Sequence, residues 1–295
     1  MGTSEQTVVH LATRISKEVL DHPSTPSSEA CLDLLGELKQ VKITMMLLEK
    51  TKIGKMVTKC IKVIKRHKRT ETGIEELKKW ERTIIIESDK CSLPKRNKTT
   101  GELSFVAGED SNIQALLKDF HPNRSPEDVL RAGSFGGTYF RPITSAVTNV
   151  HYNAKEVLKD SVEKDWIDGI PMSNLTSATY SNQRNKFGVK CGGCLGMWES
   201  SGWIVDCDPY GWFQWYCRFY QGRRCSDDAR QISRWCKSAG PKGRFRSQLC
   251  NKILAAKTSC GNTSISPVIR QTLLHWGLEI TEIVLEKHRK RVGAK

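Results

Sequence analysis

The chain has 295 residues, a formal net charge of +15, a pI near 9.4 and 38% hydrophobic residues. That hydrophobic content supports packed cores and excludes a wholly disordered chain, and no run of about 18 apolar residues is present to span a membrane. The length favours two domains, and the positive excess favours polyanionic partners such as nucleic acid, acidic protein tails or anionic lipid.

The opening MGTSEQTVVHLA lacks a basic-then-apolar secretory pattern, so an intracellular location is expected. Val8, Ala12, Ile15 and Val19 recur at helical spacing, and the loop DHPSTPSS follows. Leu32, Leu35 and Leu38 share the face of a second helix, and Thr44 caps a short third one bearing Leu47 and Leu48. Ile53, Met56, Val57, Cys60, Ile61 and Ile64 form a longer stripe, and Ile74, Leu77 and Trp80 mark the last helix. Burying a dozen such side chains, at roughly 1.5–3 kcal/mol each, offsets the ordering entropy of a small bundle only marginally.

The pattern LLxELKxxxIT…LLxxTxIGxxV, carried by Leu34, Leu35, Leu38, Ile43, Thr44, Leu47, Leu48, Thr51, Ile53, Gly54 and Val57 and closed by Trp80, resembles the N-terminal domain of the transcription elongation factor TFIIS, also found in elongin A. The resemblance implies a four- or five-helix bundle over residues 1–87. Such a bundle does no chemistry and docks short linear motifs of nuclear transcription or chromatin proteins. Leu38, Ile43, Leu47, Ile53, Gly54, Val57 and Trp80 are then the docking-bundle positions, and the location is nuclear. The chain departs from TFIIS in having one CxxC pair, Cys191 to Cys194, where TFIIS carries a zinc ribbon with two, so stimulation of transcript cleavage is not expected. Nine Lys or Arg and no acid lie between Lys50 and Arg69. Lys52, Lys55, Lys59 and Lys62 therefore read either as a solvated helix face or as a phosphate-binding patch.

Residues 88–126 read as a linker broken by Pro94, Pro122 and Pro126, with one apolar piece (Ile113, Leu116, Leu117, Phe120) able to form a helical turn or two that docks elsewhere. Residues 127–285 hold seven of the eight tryptophans and read as a second, helix-rich domain, with short strands expected near 186–206. The end, 286–295, reads as a basic tail. It and the run Pro94 to Lys98 are weak candidates for nuclear-import signals. The expected fold class is mostly α throughout.

Strings such as DPYGWFQWYCRFYQGRR and RQTLLHW resemble a eukaryotic family that shares GWFxWYxRxxxGRR and has no established activity, so the resemblance implies a module without a function. Trp212, Trp215, Tyr216 and Phe219 share one helix face. That stripe reads as hydrophobic core or as a stacking platform in which Arg218, Arg223 and Arg224 hold phosphates. Pairing of Arg223 and Arg224 with Asp227 and Asp228 is the competing assignment. Ser226 is placed as the cap of the next helix, and another helix is expected from about Pro267.

Eleven cysteines are present, eight of them between Cys191 and Cys260. In an intracellular chain they read as free thiols or metal ligands. Cys191, Cys194 and Cys207 are weak zinc candidates, and no other cofactor is indicated. SFGGTYF lacks the layout of a phosphate-binding loop, so its paired glycines are assigned to close packing or a turn. Nothing in the spacing of His151, Glu199, Asp206 and Asp208 singles out a catalytic centre. The function expected is a nuclear adaptor whose bundle docks a linear motif and whose Trp-rich domain binds nucleic acid or a protein, with a nucleic-acid-acting enzyme as the alternative.

Overall fold

The computed structural model describes residues 91–108 and 111–294, together with Gln6, His10, Leu11, Thr13, Arg14, Lys17 and Glu37. The chain divides into two units, Met1–Lys90 and Cys91–Lys295. In the first, the described residues place Leu11 in a buried position and pair Arg14 with Glu37 at 3.1 Å. Leu38, Ile43, Leu47, Ile53, Gly54, Val57, Trp80, Lys52, Lys55, Lys59 and Lys62 lie outside the described residues.

The second unit is mostly α, as expected. Its helices are α1 (Ser111–Leu116), α2 (Pro126–Ala132), α3 (Ala154–Ser161), α4 (Lys164–Ile167) and α5 (Leu195–Ser200), then α6 (Trp212–Tyr220), α7 (Asp228–Ser238), α8 (Arg244–Ala255), α9 (Pro267–His275) and α10 (Glu282–Val292). Two minimal antiparallel ribbons accompany them: β1 (Lys95–Arg96) with β2 (Leu103–Ser104), and β3 (Ile143–Thr144) with β4 (His151–Tyr152). These ribbons lie outside the 186–206 segment where strands were expected, and that segment carries α5 instead.

Helix α6 lies largely buried at the centre of this unit, with Phe213, Trp215, Tyr216, Cys217 and Phe219 all fully buried. Each polar tip of these aromatics finds a partner, as burial requires. Trp215 Nε1 donates to Asp228 Oδ1 at 2.8 Å, and Tyr216 Oη donates to the Arg124 carbonyl at 2.7 Å. The N-terminus of α6 is capped from outside its own segment: the backbone N–H groups of Phe213 and Gln214 both donate to Tyr139 Oη at 3.0 Å, and that hydroxyl donates to the Tyr210 carbonyl. A second anchor is Trp235 on α7, whose ring meets Phe120 edge-on and whose Nε1 donates to the Trp276 carbonyl.

The linker expected over 88–126 is not one from Cys91 onward. Leu103 is fully buried, and Ile113, Leu117 and Phe120 join the main core, the last two through a short 3-10 turn after α1. Apolar residues at intervals suffice to dock the segment despite the polar residues between them. Pro126 does not break the chain but starts α2, where its missing N–H costs nothing, behind a capping box made by Ser125 and Asp128. The basic tail likewise belongs to the fold as far as Val292: α10 packs on α8, with Val284, Leu285 and His288 buried. Helix α7 starts at Asp228, not after a Ser226 cap, because the Asp228 carboxylate turns back to accept from the Cys225 N–H.

Candidate binding cleft

The SFGG turn begins the site. Phe135, Gly136 and Gly137 all have positive φ (53°, 58° and 78°). A Cβ on Gly136 would lie 2.5 Å from the Tyr180 ring, and one on Gly137 would lie 2.6 Å from the Ser173 carbonyl, so both positions require glycine. The turn stacks Phe135 on His275 of α9 and packs its Gly136 against the Tyr180 ring. Tyr180 Oη accepts from the Cys191 N–H and from Asn185 Nδ2, and so holds the CGGC loop in place.

Between these elements lies a cleft of about 750 Å³, within the range typical of small-ligand sites. Its aromatic wall includes Trp198, Trp203, Trp212 and Trp276. Trp212 is held by its Nε1 donating to the His275 carbonyl and by contact with Trp276 at 4.5 Å between ring centres. Trp203 is 42% exposed at the rim. Four cations, Arg141, Lys190, Arg234 and Arg244, also line the cleft, and no Asp or Glu does. None of the four makes an ion pair among the described residues. Arg234 sits between two tryptophans, 5.5 Å from the Trp203 ring and 5.8 Å from the Trp276 ring, and burial lowers its pKa from the usual arginine value.

His275 supplies a fixed polar group. Gln271 Oε1 accepts from the Phe187 N–H, so its amide nitrogen faces His275 Nε2. The Phe135 N–H also donates to that Nε2, which is therefore the unprotonated nitrogen, and Nδ1 carries the proton. Burial pushes the imidazole pKa down to about 3, so the ring is neutral at physiological pH.

The arginines expected to clamp phosphate are used elsewhere. Arg223 is 5% exposed and donates twice to Asp208, which is fully buried. Arg218 pairs with Asp208 and with Asp160. Arg224 donates to the Val106 and Phe219 carbonyls and lies 3.9 Å from the Phe219 ring centre. The clamp reading of Arg218, Arg223 and Arg224 is thereby corrected, and so is the competing pairing with Asp227 and Asp228. Asp208, Pro209 and the turn before α6 are where these charges converge, because a buried carboxylate must be matched. The expected aromatic stripe also divides. Trp215 is core, whereas Trp212 reaches the cleft with three tryptophans that no periodicity linked to it.

Of the groups considered for acid–base chemistry, none lines the cleft. Glu199 accepts from Ser145 Oγ and the Ala146 N–H, His151 bonds Thr144, and Asp208 is neutralised by arginines. The zinc candidates are not brought together either. Cys191 is buried with its sulfur 3.0 Å from Thr272 Oγ1, and burial raises its pKa, while Cys194 is exposed. Cys207 instead lies with Asp208 and Cys225, their ligand atoms within 4.8 Å of one another. That set of three lacks the fourth ligand of a structural zinc site, and two guanidinium groups already hold its carboxylate.

Sequence reasoning missed all four cleft cations, Arg141, Lys190, Arg234 and Arg244. The one available signal was the string NKFGVKCGGC, which places a lysine beside a glycine-rich loop. Comparison with known protein families, curated proteins and solved structures found no match.

Proposed function

We propose that this protein is a nuclear adaptor whose C-terminal unit binds single-stranded nucleic acid by receiving an unstacked base in the aromatic cleft. The observation that carries this reading is the gathering of four tryptophans with four cations that make no ion pair, in a cleft that no carboxylate among the described residues lines. Every base has a π-face, and stacking on an aromatic side chain contributes roughly 1–3 kcal/mol per base without demanding a particular sequence. The cations supply the phosphate term, and Arg234, whose guanidinium lies over the Trp203 and Trp276 rings, continues the platform. The neutral His275 offers Nδ1–H as a donor to a base edge, a contact that a protonated and more strongly hydrated ring would make less selectively. The N-terminal unit, through its resemblance to the TFIIS domain, then delivers this activity to transcription or chromatin proteins.

A base enters such a cleft only when it is not paired. Titration of the full-length chain with short single-stranded and duplex oligonucleotides, followed by tryptophan fluorescence, is expected to give quenching and tighter binding with the single strand. Absence of quenching, or equal affinity for the duplex, overturns the reading.

A further inference from the structure

Arg246 is 5% exposed, yet no carboxylate, carbonyl or side-chain oxygen among the described residues accepts a hydrogen bond from its guanidinium, and its Nε is fully buried without a partner. An isolated buried charge is costly, several kcal/mol after relaxation, and native folds match it unless something else does so. The cause is geometric. Arg244 and Arg246 are two apart on α8 and so point to nearly opposite faces. Arg244 reaches the cleft, whereas Arg246 lines a separate recess of about 160 Å³ between α8, α10 and the turn after α1.

That recess is cationic. Lys118, Arg246, Lys287 and Arg291 line it against two acids, Glu102 and Asp119. Glu102 is taken up by Lys287 at 2.8 Å, which keeps the glutamate pKa low, so its charge reaches Arg246 through space without a hydrogen bond. His288, 2% exposed, donates from Nε2 to Asn251 Oδ1 and accepts from Arg291 at Nδ1, so it steers the Arg291 guanidinium without adding a charge. Glu102 and Asp119 share the recess, but among the described residues neither forms a hydrogen bond or ion pair with Arg246, and an apolar group filling the space would strand its guanidinium.

We propose that the recess is an anion site for one tetrahedral phosphate dianion, free or as a monoester, with Arg246 as its principal donor and Arg291 as the second. The volume is about that of five waters, enough for a phosphate group with part of its hydration. Guanidinium recognises phosphate through paired N–H donors, and such charge-assisted bonds are the strong ones. This site is independent of the cleft, shares no lining residue with it and does not rest on the nucleic-acid reading.

The test is isothermal titration and thermal unfolding of the full chain with inorganic phosphate, with O-phosphoserine, and with sodium chloride at matched ionic strength. Phosphate is expected to bind one per chain and to raise Tm above the chloride control. Tighter binding of phosphoserine identifies a monoester ligand, and tighter binding of inorganic phosphate identifies the free ion. In Arg246→Met the affinity is expected to fall by about tenfold or more, the worth of a charge-assisted bond. The same substitution should raise Tm in the absence of phosphate, because it removes an unmatched buried charge, whereas a purely structural arginine would lower it. Should Arg246→Met fail to fold, Arg291→Gln provides the second arm, with weakened phosphate binding expected. A wild-type Tm unchanged by phosphate, or wild-type affinity in both variants, overturns the proposal.

Discussion

The backbone N–H of Phe135 donates to His275 Nε2 at 3.0 Å while the two rings lie face to face, 4.0 Å apart and 16° from parallel. One residue in left-handed conformation thus fixes both the tautomer and the position of a histidine 140 positions away in sequence. The imidazole is buried with no carboxylate beside it, and its pKa is pushed down to about 3 from its ordinary value near 6.5. Between those values the unfolded chain binds the proton and the folded chain does not. The stabilisation is therefore fully present above about pH 6.5 and is lost as pH falls toward 3. From pH 7 to pH 5 this one group costs about 2 kcal/mol. His275→Gln keeps an acceptor for Phe135 but does not titrate, so its denaturation midpoint should fall less over that interval. His288, whose pKa burial also lowers, is common to both proteins and cancels. Equal losses in the two proteins would contradict the burial of a neutral His275.

Tyr139 ties the SFGG turn to α6 by a single oxygen that accepts from two helix N–H groups and donates to Tyr210. Tyr139→Phe deletes the cap and leaves buried donors unmatched, a loss of about 1–3 kcal/mol. Urea denaturation measures it. A variant as stable as wild type would mean that α6 is capped some other way.

Among the described residues, Asp208 is the one carboxylate that pairs with both Arg218 and Arg223. Asp208→Asn strands Arg223 and should cost about 3–5 kcal/mol, whereas Arg223→Met leaves Asp208 its Arg218 partner and should cost less. Because Arg223 does not line the cleft and is held by Asp208, Arg223→Met should also keep wild-type affinity for single-stranded oligonucleotide. A marked loss of affinity in a folded Arg223→Met protein would restore the phosphate-clamp reading.

Trp203 and Trp235 separate binding from packing. Trp203 is 42% exposed at the cleft rim, and Trp235 is fully buried. Trp203→Ala should change stability by about 0.5 kcal/mol while weakening oligonucleotide binding, since one stacking contact is lost. Trp235→Ala should cost about 3–5 kcal/mol through the cavity it leaves. Thermal unfolding and fluorescence titration on the same samples distinguish them.

The helices were legible where periodicity was strong. The stripe of Trp212, Trp215, Tyr216 and Phe219 is α6, the start at Pro267 is α9, and the apolar piece from Ile113 to Phe120 docks by a helix and a 3-10 turn as its spacing suggests. What the pattern could not give is which end of a shared stripe faces inward. Trp212 and Trp215 are one turn apart, yet one reaches the cleft and the other the core, because the partners that decide this, Trp276 and Asp228, are set by tertiary packing. Likewise Arg223 looked like a surface clamp because a buried arginine is rare unless paired, and its partner Asp208 lies 15 positions back, outside any local rule. The cleft's cations come from four separate segments, and their lack of carboxylate partners is a property of the folded chain alone.

The salt dependence of single-strand binding tests the central reading most directly. Each phosphate neutralised contributes a slope of about −0.7 to log K against log salt. Arg234→Ala combined with Arg244→Ala in the full chain is expected to weaken binding and to flatten that slope by about 1.4, with the fold retained. Affinity and slope identical to wild type in the double variant would contradict the cleft as the place where nucleic acid is held.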